Sequence, residues 1–198
     1  MRRWAWVAAV AMAACEPEIG PGTYFCGPEM LCPPDLSCDP LTYTCERPAA
    51  VRPFACPEGT EADEPNEDAD AATPLGRLAC GGAGAVTNGC IARSGDVDVY
   101  AFKLDECLAP GARLLVSARF PIAMAPLSVQ VRDAAGEIVT TAQLCTPDPD
   151  FTGTERVCAE LPKGPAAYTV SVQLAGGGDC AGACAYNLYE LRAEYLVN

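Results

Sequence analysis

From Glu61 onward the chain alternates. Leu114, Val116, Ala118 and Phe120 occupy every second position, as do Leu127, Val129 and Val131, then Val157, Ala159 and Leu161, then Tyr168, Val170, Val172 and Leu174. A period of two puts each set on one side of an extended strand. Turn residues separate the runs: Asp133-Ala134-Ala135-Gly136 before a return strand through Ile138, and Pro162-Lys163-Gly164-Pro165 before Tyr168. No stretch sustains helical periodicity. The pattern predicts an all-β fold, an antiparallel β-sandwich of jelly-roll type. About 135 residues are ample for one such core and too few for two. A last strand covers roughly Tyr186 to Tyr195. There Tyr186 and Leu188 oppose the phase of Tyr189 and Leu191, which fits either a bulge or a strand buried on both sides.

The N-terminus carries a compartment signal. Arg2 and Arg3 precede eleven apolar residues, Trp4 to Ala14, too short a run to span a bilayer and the right length for a signal peptide. Met12-Ala13-Ala14-Cys15 resembles the lipobox of bacterial lipoproteins, in which the cysteine is lipidated and becomes the new N-terminus. Met12 stands where that family favours Leu. Ala11-Met12-Ala13 also reads as an ordinary cleavage site, and cysteine parity separates the two. The chain has thirteen cysteines, so lipidation of Cys15 leaves twelve that can all pair, whereas ordinary cleavage leaves a free thiol. The expectation is a lipid-anchored protein of the cell envelope, in the outer membrane or at the cell surface, with its remaining cysteines oxidised.

This divides the chain into a signal peptide (1–14), a tether (15–22), a four-cysteine module (23–47), a proline-rich linker (48–62) holding Cys56, and the sandwich (63–198). Cys26, Cys32, Cys38 and Cys45 fall within twenty residues, a segment too small to bury much apolar area, so two disulfides must stabilise it. Three pairings are open. Zinc is the competing use of four clustered cysteines, but no C-x-x-C pair occurs there and the chain has no histidine. In the sandwich, Cys145 and Cys158 flank a loop between neighbouring strands as a cross-strand pair, and Cys180 with Cys184 would close a hairpin tip. Cys56, Cys80, Cys90 and Cys107 would pair among themselves, partners open.

Charge and residue types exclude several activities. Without Arg2 and Arg3, eleven basic residues face twenty-six acidic ones, a mature net charge of −15. Such a surface cannot neutralise a phosphate backbone, which removes nucleic acid as a partner, and it repels anionic headgroups, so acyl chains must hold the protein to the membrane. The absence of histidine rules out Ser-His-Asp and Cys-His catalysis. Lys103 and Lys163 have no serine motif beside them. Gly81-Gly82-Ala83-Gly84 lacks a phosphate-binding lysine and reads as a flexible loop held by Cys80 and Cys90. A carboxylate pair such as Asp96 with Asp98 or Glu64 is the one enzymatic option left, on a glycoside, and no cleft is visible for it.

Asp63-Glu64-Pro65-Asn66-Glu67-Asp68, followed about thirty residues on by Ser94-Gly95-Asp96-Val97-Asp98-Val99-Tyr100-Ala101-Phe102, resembles the opening of the bacterial pre-peptidase C-terminal domain, a β-sandwich usually appended to secreted proteases. Leu127-x-Val129-x-Val131-x-Asp133-x-x-Gly136 and Leu161-Pro162-x-Gly164 before Tyr168-x-Val170-x-Val172 look like the middle and end of the same family. The match runs from about Asp63 to Tyr195, and the eight cysteines from Cys56 to Cys184 depart from it.

Asp96 and Asp98 share one strand side with Tyr100, Phe102 and Leu104. Related collagen-binding modules of bacterial collagenases use an acidic Glu/Asn segment with a Gly-Asp-x-Asp-like turn to hold calcium. By position that implies calcium as a cofactor, with Glu64, Asn66, Glu67, Asp96 and Asp98 as ligands, Glu67 standing where Asp is commoner. The plainer use of these residues is local: the aspartates cap a turn and Asn66 fixes the acidic loop. For function the resemblance implies a non-catalytic binding or adhesion module for a protein, peptide or glycan. The alternative is a structural accessory subunit of an envelope or secreted-protease assembly with no ligand of its own. Few aromatics are left outside the core faces to build a glycan platform.

Overall fold

A computed structural model describes residues 20–51, 55–60, 65–93, 95–145, 154–162, 167–178 and 187–197. Cys15, Glu64, Cys180 and Cys184 lie outside these residues, as do segment 1–14, expected from the sequence to be a signal peptide, and the Tyr186 position.

Short strands β1 (Ser37–Asp39) and β2 (Thr44–Glu46) form a hairpin in the four-cysteine segment. Ten more follow: β3 (Thr73–Leu78), β4 (Ala85–Ile91), β5 (Val97–Leu104), β6 (Arg113–Pro121), β7 (Leu127–Asp133), β8 (Ile138–Thr141), β9 (Gln143–Leu144), β10 (Thr154–Pro162), β11 (Ala167–Leu174) and β12 (Asn187–Leu196). They build two five-stranded sheets, one ordered β4-β12-β6-β10-β9 and the other β3-β5-β11-β7-β8. All pairings are antiparallel except β3 with β5, which run parallel. The chain is an all-β sandwich preceded by a disulfide-rich N-terminal segment.

The alternating sets predicted from the sequence are the core. Leu114, Val116, Ala118 and Phe120 of β6 and Val157, Ala159 and Leu161 of β10 face Leu127, Val129 and Val131 of β7 and Tyr168, Val170, Val172 and Leu174 of β11, all buried in one cluster. Removing this apolar surface from water is the main stabilising term, at about 25 cal/mol per Å². Phe102 and Tyr168 stack at 5.9 Å as a cross-strand pair. The last strand resolves the phase left open above. Tyr189, Leu191, Ala193 and Tyr195 point inward with Asn187, and Leu188 points outward but is half-covered. Leu188 lines a hollow of about 450 Å³ together with Pro57 and Thr60 of the linker segment. From Asn187 to Leu196 the strand is unbroken, with one face buried and the other half-buried to exposed.

Among the described cysteines the bonds are Cys26–Cys38, Cys32–Cys45, Cys56–Cys90, Cys80–Cys107 and Cys145–Cys158. The first two interleave, so four sulfurs form the centre of the small segment, and Cys26, Cys38 and Cys45 pack with Ala123 from the β6–β7 turn. Met30 N–H also donates to Ala123 O at 2.8 Å, which fastens this segment to the sandwich. One expectation is corrected. The glycine run 81–84 is not held between Cys80 and Cys90. Leu78 at the end of β3 lies beside Leu104 at the end of β5, so Cys80 and Cys107 emerge together from two parallel strands and bond there. The run is clamped instead by Gly81 N–H donating to Tyr195 O at 2.7 Å. At Gly84 a side chain would strike the β12 backbone at Ala193.

Candidate functional site

The acidic residues predicted from the sequence lie around the entry to β5. Asn66 is buried, its backbone carbonyl accepts the Val99 N–H at 3.0 Å, and its Nδ2 donates to Thr73 Oγ1 at 3.5 Å. It thereby aligns the acidic loop with the start of β3. Asp96 is buried and its Oδ2 accepts the Ala92 N–H at 2.9 Å, closing the turn that leads out of β4, where Gly95 takes the positive φ of +82°. Asp68 does the same one loop earlier, accepting from Asp70 and Ala71 N–H, both at 3.0 Å. These are local side-chain-to-backbone bonds of the turn-holding kind.

Asp98 enters the sandwich interior. Tyr189 of β12 donates its hydroxyl proton to Asp98 Oδ2. The Tyr189 oxygen also sits 2.8 Å from the Tyr100 oxygen, and a phenol has one proton to give, so Tyr100 is the donor in that second bond. The result is a directed chain, Tyr100 to Tyr189 to Asp98, joining the two sheets. Burial first, then the neighbouring Tyr100 and Asp98, push the Tyr189 phenol well above its ordinary range, so it stays a donor. The rings meet edge-on at 6.5 Å. Gly89 of β4 lies directly opposite Tyr189, and a Cβ there would overlap the tyrosine tip and approach Tyr100 Oη to 2.7 Å.

Calcium can be tested against this geometry. Glu67, half-exposed, pairs with Arg93 at 3.4 Å, and the same guanidinium lies 3.9 Å from Asp96. A cationic side chain therefore stands among the acids. Glu67, Asp96 and Asp98 do not bring three ligand oxygens within 4.8 Å of one another. The described carboxylates therefore bring together fewer oxygens than the six to eight a calcium ion needs. Among the described residues the one sulfur group that close, Cys26, Cys32 and Cys45, belongs to the two interleaved disulfides and offers no thiolate. Arg93, Tyr100 and Tyr189 were not marked as partners by the sequence, because each meets the acids through tertiary contact alone.

A different feature lies on the outer face of the β3-β5-β11-β7-β8 sheet. Register places Pro74, Ala101, Thr169 and Arg132 in one row across four strands, and Arg77, Lys103 and Ala167 in the next. Small side chains on the two central strands leave a trough of about 580 Å³ between taller neighbours. Its walls are cationic. Arg132 is held by Gly136 O at 3.0 Å and Gln130 Oε1 at 3.1 Å, and Arg77 pairs with Asp105 at 2.7 Å. The residues that make it, Ala101 and Ala167 above all, carry no chemistry a sequence motif would flag.

No family model matches this sequence, and no curated protein matches it. Among solved structures the chain is similar to the pre-peptidase C-terminal domain of a collagenase from Bacillus anthracis, at 15% identity and a TM-score of 0.39, over 62% of this chain and 96% of that one. The architecture given above rests on this chain's own strand order and registers.

Proposed function

We propose that this chain is a non-catalytic binding module, lipid-anchored at the cell envelope through Cys15, whose recognition surface is the trough on the outer face of the β3-β5-β11-β7-β8 sheet. The observation that carries the reading is the trough itself: a hollow of about 580 Å³ with a floor of small side chains and a wall of fixed cations. Sheet faces of secreted domains are ordinarily covered by long polar side chains, and a concave, largely apolar exception is the usual form of a ligand site. The sequence supports the remaining parts of the reading. It offers no histidine-based catalytic group, it places a lipobox-like segment before Cys15, and its cysteines suit an oxidising compartment.

The test is retention of secreted or surface proteins on the immobilised mature chain, compared with an Ala101→Trp variant that fills the trough. The reading predicts that specific retention by the native chain is lost in the variant while its melting temperature is kept. Equal retention by both proteins would move recognition elsewhere.

A further inference from the structure

We propose that the trough takes an extended, acidic peptide segment of a partner protein, its carboxylates on the wall cations and its apolar side chains on the alanine floor. This deepens the proposed function and rests on it.

The first ground is charge complementarity. The mature chain has eleven basic residues against twenty-six acidic ones, yet Arg77, Lys103 and Arg132 all line this one hollow, with Asp133 as the single acidic liner among the described residues. Asp133 is itself turned to its own turn, its Oδ1 accepting the Ala135 and Glu137 N–H groups at 2.9 and 3.1 Å. Arg77 and Lys103 sit side by side on adjacent strands, and neighbouring like charges repel. Arg77 is paired with Asp105 at 2.7 Å, as Arg93, Arg113, Arg119 and Arg192 are paired with acids of their own, but among the described residues neither Lys103 nor Arg132 forms an ion pair, so these two carry the uncancelled charge. Arg132 is instead fixed by two neutral acceptors, which orient its guanidinium without cancelling its charge.

The second ground is shape. Ala101 and Thr169 face each other across β5 and β11, and Ala167 lies next along, so the floor is a strip of methyl groups about two strands wide. An extended peptide presents side chains alternately to two sides, so every second residue meets this floor while those between reach the walls. A flat lipid surface would not enter the hollow. Phe102 and Tyr168 also line the hollow but are buried in the core, so among the described residues a sugar ring would find no exposed aromatic face there.

The test uses the mature full-length chain and three labelled peptides that alternate valine with glutamate, with glutamine or with lysine. Fluorescence polarisation at low salt should show the glutamate peptide binding at least about tenfold more tightly than the glutamine peptide, with no binding of the lysine peptide. That advantage should shrink as salt is raised. Lys103→Glu with Arg132→Glu, both on the sheet exterior, should abolish the preference without changing the melting temperature. Equal binding of the glutamate and glutamine peptides, lost on Ala101→Trp, would overturn the acidic specificity and leave the trough as a binding site. No peptide binding, or displacement of the glutamate peptide by vesicles of anionic lipid, would overturn the inference outright.

Discussion

Tyr100 and Tyr189 reach from opposite sheets and join hydroxyls at 2.8 Å, and the second donates a hydrogen bond to Asp98. This polar chain is buried at every member, so its partners cannot be replaced by water. Tyr189→Phe takes away the donor and leaves the Asp98 carboxyl without it. We expect a loss of about 1–3 kcal/mol in urea unfolding. Gly89→Ala should also destabilise, through displacement of the tyrosine tip, and a neutral result for both variants would contradict the network. Alkaline titration gives an independent reading. Because the Tyr189 phenol is raised above its ordinary 10.0, the folded state keeps a proton the unfolded chain releases. Its contribution is therefore whole below pH 10 and declines as pH rises beyond it. Tyr189→Phe should flatten that decline.

The Arg93 guanidinium standing near Glu67 and Asp96 sets the expectation for metal. Millimolar calcium added to chelator-treated, fully oxidised protein should leave the melting temperature unchanged. A rise that disappears in Asp96→Asn with Asp98→Asn would restore the calcium reading. At 100 times the dissociation constant such binding would add about 2.7 kcal/mol, well within detection.

The interleaved bonds Cys26–Cys38 and Cys32–Cys45 close loops with sequence separations of 12 and 13. Each should contribute about 3 kcal/mol by restricting the unfolded chain. Mild reduction should free the segment around them before the sandwich loosens, since the sandwich keeps its own core. Peptide mapping of alkylated thiols checks the order, and first release at Cys145 and Cys158 would contradict it.

Much of this fold was legible because alternation and burial report the same thing. Val170 and Val172 could be assigned inward from spacing alone, and both are fully buried. The cysteine bonds were harder, because Cys80 meets Cys107 through a parallel pairing of β3 with β5 that no local pattern encodes. The acidic site was legible as a strand side but not as chemistry. Spacing put Asp98 beside Tyr100, and nothing in the sequence announced that Tyr189, some ninety residues later, would complete the chain. The trough was least visible, since it is made by alanines whose meaning depends on which strands lie next to each other.

Anchoring is open to a direct check. Cys15→Ser should leave the protein soluble or unprocessed, with loss of the membrane-bound fraction after alkaline carbonate extraction. Persistence of that fraction would contradict lipidation at Cys15.

The proposed module would be held to a partner through the outer face of one sheet. Site-specific photocrosslinking on intact cells tests it most directly, with the photoreactive group placed at Thr169 in the trough or at Arg192, exposed on the other sheet. A discrete crosslinked product is expected from position 169, none from position 192, and loss of the first when Ala101→Trp is added. Crosslinking from position 192 alone, or from both positions irrespective of Ala101→Trp, would contradict it.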